Sequence, residues 1–380
     1  MNTQDLIATA RQRAGLSNLG DPSVLLGLNI LVESLNTEAR LTESGRKRMQ
    51  ATIVDILVNR LRVEDYLASH PHLLERPIEQ PLFVFGLPRT GTTLLINLLN
   101  EDPQRRSFLR WEAFDSVPPP KAAQLSSDPR CLKEQANLDM SVKLAPHIAA
   151  MHYEDADSPT ECQFAMAPSF CAQYFESIAY IPSYRKWFLE TSYLPAFRYH
   201  KRLLQLLQSE APGRWTLKNP WHPLFLNDLT TIYPDAQLVM THRDPVEVVG
   251  SACSLIKHVR VMFSDSVDTH AIGASMVDMF DQMIARTLAY RQQHGPNSIY
   301  DVQYPALMRD PLTQMKKLYR HFDEPLTPQA ESAMAAFLAN NPQGKHGTHK
   351  YSLEEFGLTA PQVRDHFRDY CREFEIACKN

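Results

Sequence analysis

The stretch PLFVFGLPRTGTTLLINLL, residues 81–99, combines residue types suited to binding a phosphate. Residues 82–85 are apolar and favour a strand, Gly86 and Gly91 bracket a turn, and residues 94–99 are apolar and compatible with a helix. This order predicts a strand, a glycine-rich turn and a helix N-terminus. Such a turn directs backbone N–H groups and the positive end of the helix dipole at one point, where an anion is stabilised.

The spacing of the turn is that of a P-loop with one change. A Walker A motif reads G-x-x-x-x-G-K-[ST], whereas this chain reads G-x-x-x-x-G-T-T, so Thr92 stands where a lysine would reach a γ-phosphate. Arg89 lies inside the turn. A turn that merely joins a strand to a helix is the alternative, but the order of glycines, arginine, hydroxyls and helix favours phosphate binding outside ordinary ATP chemistry.

A second basic site follows a later apolar segment. Arg243, in THRDPVEVVGSACSL, ends a predicted strand, and Ser251 comes eight positions later on the following predicted helix. An arginine can hold a phosphate through two parallel hydrogen bonds, and a serine hydroxyl adds another donor. Taken alone, the pattern also fits an arginine that caps a strand end and pairs with Asp244 or Glu247.

Together the two sites resemble the sulfotransferase family that uses 3′-phosphoadenosine 5′-phosphosulfate (PAPS) and releases adenosine 3′,5′-bisphosphate (PAP). The family's 5′-phosphosulfate loop, P-[KR]-[ST]-G-T-T, is matched by six consecutive residues: Pro88, Arg89, Thr90, Gly91, Thr92 and Thr93. Its 3′-phosphate site, an arginine with a serine eight residues on, is matched by Arg243 and Ser251. The resemblance spans residues 80–355, points to the bacterial branch, and implies sulfuryl transfer to a hydroxyl without a metal.

The resemblance implies roles for four further residues. Lys218, in WTLKNPWHP, corresponds to a strand-end lysine that stabilises the transferring group, the alternative being a solvated lysine. Tyr304, in VQYPALMRDP, corresponds to a tyrosine that contacts adenine, or else it packs near the sheet edge. Lys345 and His346 lie in GKHGTH, which resembles a loop that covers the nucleotide.

The catalytic base is expected to be a carboxylate or a histidine, because sulfuryl transfer removes the proton of the acceptor hydroxyl. Glu112, in LRWEAF, resembles the glutamate of tyrosylprotein sulfotransferases, and its apolar neighbours would raise its pKa; a salt-bridged structural glutamate is the alternative. His222 is the second candidate, because cytosolic sulfotransferases place a histidine just after their lysine. Here three residues intervene, one of them Pro220. His152, Glu154 and Glu161 are third choices.

The acceptor is expected to be a small molecule that carries a hydroxyl on an apolar or aromatic body. Residues 164–175 and 184–188 are dense in aromatic side chains and methionine. Such residues line pockets for apolar ligands, and they also build ordinary cores. Two other functions stay open on sequence grounds: a P-loop kinase or NTPase, and a nucleotide-binding module without catalytic activity.

The elements that must position these residues indicate an α/β protein. Residues 1–78 predict a helical extension packed on a main domain of residues 79–380. In the main domain, predicted strands alternate with helices at residues 82–85, 108–111, 214–218, 237–241 and 299–302. A long helix is predicted over residues 181–208, with its arginine, lysine and histidine side chains, His200 included, on the outer face. This alternation predicts a three-layer, P-loop-like parallel sheet with helices on both faces and an N-terminal helical cap. Ligands bind such sheets beyond the carboxyl ends of the strands.

Composition sets the broad class. The 380 residues are 44% hydrophobic and 22% charged, which is ordinary for a soluble globular protein, and a net charge of −4 gives no footprint for nucleic acid. The six cysteines form no C-x-x-C pair and no zinc spacing, so buried, reduced thiols are expected. The sequence shows no signal-peptide pattern and no membrane-spanning stretch. A cytoplasmic enzyme, either monomeric or homo-oligomeric, is therefore expected.

Overall fold

A parallel five-stranded sheet forms the centre of the computed structural model, which describes residues 1–144, 154–342 and 351–378. The strands are β1 (Leu82–Gly86), β2 (Arg105–Ser107), β3 (Arg214–Lys218), β4 (Gln237–His242) and β5 (Tyr300–Gln303). Their spatial order is β2-β3-β1-β4-β5, and every neighbouring pair is parallel. The turn that follows β1 therefore leaves the middle of the sheet, between the ends of β3 and β4.

Helices cover both faces of the sheet, as the sequence predicts. The α-helices of the described residues are α1 (Thr3–Ala14), α2 (Ser23–Thr37), α3 (Glu43–Ser69), α4 (Thr92–Asn100), α5 (Arg110–Phe114), α6 (Pro129–Leu144), α7 (Cys162–Met166), α8 (Tyr174–Ile178), α9 (Pro182–Glu190), α10 (Leu194–Leu207), α11 (Leu226–Ile232), α12 (Pro245–Arg260), α13 (Thr269–His294), α14 (Tyr304–Arg309), α15 (Pro311–His321), α16 (Pro328–Asn340), α17 (Ala360–His366) and α18 (Arg368–Glu373). Short 3₁₀ helices occur at Pro71–Glu75, Ala122–Gln124, Ala167–Ser169, His222–Phe225, Pro296–Ser298 and Glu354–Phe356.

The central strand separates two apolar cores, because successive side chains of a strand point to opposite faces. Phe83 and Phe85 belong to the larger core, which also contains Leu31 from α2 and Leu57 from α3. Leu82 and Val84 face a smaller core with residues of α4, α15 and α16. The three-layer α/β fold with an N-terminal helical cap is thereby confirmed. The division of the chain at residue 78 stays a prediction, and the larger core extends across it.

The prediction of a strand over residues 108–111 was wrong, because β2 ends at Ser107 and α5 begins at Arg110. The Leu109 N–H donates to Glu112 Oε2 at 2.9 Å, so the glutamate caps the first turn of α5. This local hydrogen bond favours a helix where the aromatic residues alone favour a strand.

The long helix predicted over residues 181–208 is instead two helices, α9 and α10. The break follows Glu190, and Pro195 occupies the first turn of α10, where a missing N–H is tolerated. His200, predicted on the outer face, is fully buried, and its Nδ1 lies 2.7 Å from the Tyr233 hydroxyl.

The C-terminal helices lie against the carboxyl half of the sheet. His242, the last residue of β4, has Nδ1 3.0 Å from the Tyr370 hydroxyl in α18, and Gln303 Nε2 donates to the Phe374 carbonyl at 2.7 Å. These bonds join the end of the described chain to β4 and β5. In the described part of the chain, no helix has both the length and the apolar character needed to cross a membrane.

Candidate active site

The turn between β1 and α4 has the geometry of an anion-binding loop. Arg89 and Gly91 both have positive φ, at 69° and 96°. A Cβ at position 91 would lie 2.9 Å from the Tyr304 ring, so both the backbone conformation and the close contact require glycine. The N-cap residue of α4 is Gly91, which has no side chain that could cap the helix end. The first N–H groups of α4, from Thr92 and Thr93, therefore suit an anion.

Thr90 fixes the shape of this turn. Its Oγ1 donates to the Leu87 carbonyl at 2.7 Å and lies 2.5 Å from Oγ1 of Thr241 in β4. The residue is fully buried. These bonds join the turn to the neighbouring strand, so the Thr90 hydroxyl already has partners inside the protein.

The structure brings the two phosphate sites predicted from the sequence into contact. Arg89 Nε donates to Ser251 Oγ at 3.2 Å, and Arg243 Nη1 donates to the Arg89 carbonyl at 2.9 Å. The Arg243 guanidinium lies over the Tyr304 ring, 4.2 Å from its centroid. We call Arg89, Arg243, Ser251 and Tyr304 the basic cluster. It lies where β1, β4 and β5 end.

The electrostatics of the basic cluster favour an anion. Burial lowers the pKa of Arg89, and the neighbouring Arg243 guanidinium lowers it further. Glu247, one of the two partners considered from the sequence, does accept a hydrogen bond from Arg243 Nε at 2.7 Å. A phosphate beside the two arginines would stabilise their charged forms and accept bidentate hydrogen bonds.

Tyr351 is a residue of this site that the sequence pattern did not identify. Its hydroxyl donates to the Glu247 carbonyl at 2.9 Å, and a Cβ at Gly250 would collide with its ring. Gly250, just before Ser251, was the signal in the sequence that an aromatic ring could pack here, because a residue without a side chain lets the ring lie directly on α12. Lys345 and His346, which precede Tyr351 in the chain, lie outside the described residues.

Lys218 lies at the carboxyl end of β3 and is fully buried, which excludes a solvated lysine. Its Nζ is 3.3 Å from Glu161 Oε1 and 3.7 Å from Glu154 Oε1, and it forms no hydrogen bond within the described residues. A buried ammonium that lacks hydrogen bonds is costly in free energy, so this group retains capacity for a ligand.

The structure places Glu112 in a buried ion pair. Its Oε1 pairs with Arg106, its Oε2 caps α5 through the Leu109 N–H, and the residue has no solvent exposure. Both carboxylate oxygens thus bind groups of the same chain segment. These contacts are those of a salt-bridged structural glutamate, which is the alternative to a catalytic base considered for Glu112.

His222 lies in the apolar core. Its ring packs edge-on against Phe83 at 5.2 Å and beside Phe197 at 5.8 Å, and neither ring nitrogen has a hydrogen-bond partner in the described part of the chain. Burial lowers the pKa of His222 well below its usual range. Lys218 is in register with Val84 and so faces the other side of the sheet from Phe83. The structure therefore separates His222 from Lys218.

Most aromatic residues predicted to line an acceptor pocket belong to the core, including Phe170, Phe175, Tyr184 and Phe188. Phe164 and Tyr174 are only partly buried, with ring centroids 5.4 Å apart. Phe164 also meets the exposed ring of Phe114 at 5.7 Å. We call Phe114, Phe164 and Tyr174 the aromatic surface.

Known proteins resemble this chain over the whole fold. Residues 81–328 match the family model described as "Sulfotransferase family". The crystal structure of sulfotransferase STF9 from Mycobacterium avium has a TM-score of 0.93 and 34% identity, covering 99% of this chain and 97% of that one. Sulfotransferase STF1 from Mycobacterium tuberculosis H37Rv has a TM-score of 0.87 and 31% identity, covering 97% of this chain and 99% of that one.

A curated relative shows the same similarity at lower identity. Omega-hydroxy-beta-dihydromenaquinone-9 sulfotransferase Stf3 of Mycobacterium bovis is 25% identical over 260 residues. The alignment covers 64% of this chain and 62% of that protein, so it spans less than two thirds of the relative's length.

Proposed function

The chain belongs to the sulfotransferase family, and we propose on this premise that it moves a sulfuryl group from PAPS to the hydroxyl of a small acceptor. The observation that carries the proposal is the contact between the two phosphate-binding segments. Arg89 and Arg243, which are 154 positions apart in the chain, meet at the carboxyl edge of the sheet beside Ser251. A single phosphate needs only the first segment, whereas a nucleotide with 5′ and 3′ phosphate groups uses both.

The residues present fit PAPS. Three features favour a ligand with several negative charges: two adjacent guanidinium groups, a helix end whose N-cap is a glycine, and a buried lysine with no hydrogen bond among the described residues. When bound, PAPS supplies the activated sulfuryl group. The 5′-phosphosulfate would be held by Arg89, Thr92, Thr93 and the first N–H groups of α4.

The other contacts with PAPS are assigned from the same resemblance. Arg243 and Ser251 would hold the 3′-phosphate, and Tyr304 would lie against the adenine. Thr90 and Gly91 would shape the turn that receives the 5′ end. Lys345 and His346 keep their proposed role in covering the nucleotide.

Lys218 is proposed to stabilise the charge that develops on the leaving phosphate, since its ammonium is buried and already oriented by carboxylates. Glu112 and His222 remain the bases predicted from the sequence. Their surroundings favour structural roles: an ion pair that caps a helix for Glu112, and an apolar core for His222.

The acceptor is proposed to be apolar or aromatic. The aromatic surface offers a place for it, with Phe114 44% exposed. The relative Stf3 carries a hydroxylated menaquinone derivative in its name, which is consistent with an acceptor of this kind. A cytoplasmic location, with the enzyme as a monomer or homo-oligomer, is part of the same proposal.

Transfer of labelled sulfur tests the proposal. The protein is incubated with ³⁵S-labelled PAPS and a panel of phenols and alcohols, with EDTA present, and products are identified by mass spectrometry. Sulfated product and PAP are expected to form without added metal. Phosphoryl transfer from ATP that requires Mg²⁺ would favour a kinase instead, and PAP binding without transfer to any acceptor would favour a binding module.

A further inference from the structure

We propose that Glu161 is the catalytic base that takes the proton of the acceptor hydroxyl, an assignment that rests on the proposed sulfuryl transfer. Glu161 forms an isolated parallel β-bridge with Lys218, at the carboxyl end of β3. Its Oε1 lies 3.3 Å from Lys218 Nζ. The carboxylate and the lysine assigned to the leaving phosphate are therefore neighbours in backbone and side chain.

The second carboxylate beside Lys218 is held by more partners. Glu154 Oε2 accepts a hydrogen bond from Thr160 Oγ1 at 2.9 Å and pairs with Arg110 Nη1 at 3.4 Å. The side chain of Glu154 is 2% exposed, whereas that of Glu161 is 12% exposed. Glu161 thus has the greater access to an incoming acceptor. Glu154 is suited to positioning Lys218 and Arg110.

Glu161 lies close enough to the basic cluster to interact electrostatically with Arg89. The negative charge of Glu161 opposes the lowering of the Arg89 pKa, although burial and Arg243 have the larger effect. The residue after Lys218, Asn219, donates its N–H to the Val84 carbonyl in β1 at 3.1 Å. This bond fixes the end of β3 beside the strand that leads into the phosphate-binding turn.

Glu161 also lies beside the aromatic surface. It is the N-cap of α7, and Phe164, one turn along that helix, contacts Phe114 and Tyr174. Arg110 lies 5.3 Å from the Phe114 ring centroid and pairs with Glu154. An aromatic alcohol that rested on these rings would lie at the end of α7 that carries Glu161.

The proposed step transfers one proton to Glu161 and one sulfuryl group to the acceptor. The O–H bond of the acceptor breaks and its proton passes to a Glu161 oxygen. The oxygen electron pair forms the new O–S bond. The S–O bond to the phosphate breaks, and its electrons leave with the phosphate of PAP, where Lys218 and the α4 N-terminus stabilise the negative charge. No oxidation or reduction occurs.

Glu161→Gln tests the assignment, with Glu134→Gln as the matched control. Glu134 pairs with Arg110 at 3.1 Å, in the same polar network, but it is not a partner of Lys218. The acceptors are a phenol that the wild type sulfates and its more acidic nitro-substituted analogue, which is already largely ionised near neutral pH. Four quantities are measured: kcat/KM for each acceptor, its pH profile, PAP affinity by calorimetry, and thermal stability.

We expect Glu161→Gln to lower kcat/KM for the ordinary phenol by about 100-fold or more and for the nitro analogue far less, because an ionised acceptor needs no base. PAP affinity is expected to stay at the wild-type value. For the ordinary phenol, kcat/KM of Glu161→Gln should rise with pH as the acceptor itself ionises, so that its deficit relative to the wild type narrows at high pH, whereas Glu134→Gln should keep the wild-type profile.

Equal losses for both phenols, or wild-type rates for Glu161→Gln, would overturn the assignment of Glu161. If Glu161→Gln is unstable, Glu161→Asp replaces it. This variant keeps a carboxylate on a side chain one methylene shorter, so kcat/KM should fall more for the ordinary phenol than for its nitro analogue; equal losses or wild-type rates overturn the assignment as well. A wild type that binds PAP but sulfates no acceptor contradicts the proposed function itself, which separates that failure from a wrong choice of base.

Discussion

Arg243 shows, at the scale of one residue, how the protein orients a charge before a ligand arrives. Its guanidinium contacts the Glu247 carboxylate, the Arg89 carbonyl and the face of the Tyr304 ring. The three contacts come from three different segments and fix the plane of the group. A phosphate that replaced or joined the Glu247 contact would meet an arginine that is already in place, so little side-chain entropy would be lost on binding.

Replacement of Arg243 by alanine is expected to weaken PAP binding by about 10- to 100-fold, the range typical for hydrogen bonds to a charged group. The change would be measured by calorimetry at fixed ionic strength. Arg13→Ala serves as the control, because Arg13 pairs with Asp55 on the exposed surface of the N-terminal helices. Equal PAP affinity of Arg243→Ala and wild type would remove Arg243 from the 3′-phosphate site.

At the scale of elements, the amino ends of three strands converge on one carboxylate. Glu324, between α15 and α16, pairs with Arg105 at the start of β2 and with Arg214 at the start of β3. Gln237, the first residue of β4, donates to its Oε1 at 2.7 Å. This network lies at the edge of the sheet opposite the basic cluster. It therefore joins the three strands at a distance from the proposed binding site, which predicts a structural role.

Glu324→Ala is expected to lower the free energy of unfolding by about 3 kcal/mol, because it removes the close carboxylate partner of the buried Arg105 and leaves the more distant Asp102, 3.9 Å from Arg105 Nε. Urea unfolding measures the change. Glu331→Ala removes an exposed pair with Lys316 and should change stability by less than about 1 kcal/mol. A small effect of Glu324→Ala on stability, or a loss of PAP affinity in the folded protein, would contradict a purely structural role.

Three buried histidines make the stability of the whole molecule depend on pH. Burial lowers the pKa of His200 to about 3, and it also lowers the pKa values of His222 and His242. For His242, the hydrogen bond and the negative charge of Asp301 act to raise the pKa and so oppose the larger effect of burial. All three imidazoles are therefore neutral in the folded protein near pH 7.

Stability should fall as the pH drops below about 6.5, the ordinary pKa of histidine. Between that value and the lower folded pKa, the unfolded chain binds more protons than the folded one, so protonation favours unfolding. Each histidine contributes at most about 1.4 kcal/mol per pH unit. Urea unfolding at pH 7.5, 6 and 5 measures the slope.

His200→Gln isolates one contribution to this slope. It should reduce the dependence on pH, whereas His72→Gln, at an exposed position, should keep the wild-type slope. A stability that stays constant from pH 7.5 to 5 in the wild type would show that these histidines are not held neutral by burial.

Local sequence specifies the parts of the fold that depend on near neighbours in the chain. The strand, turn and helix around Gly91 follow from local composition, and the predicted strand over residues 214–218 coincides with β3. The spacing of Arg243 and Ser251 predicted a 3′-phosphate site, and this assignment stays a proposal. Periodicity and turn residues carry such information because backbone conformation is set largely by adjacent residues.

Which polar groups meet, and which are buried, depends on the tertiary structure. The sequence pattern predicts His200 on an outer face and ranks Glu112 above Glu161. In the fold, His200 bonds to Tyr233, Glu112 pairs with Arg106, and Glu161 lies against Lys218, 57 positions later in the chain. Burial and ion pairing depend on segments that are distant in sequence, and no local pattern specifies which of them come together.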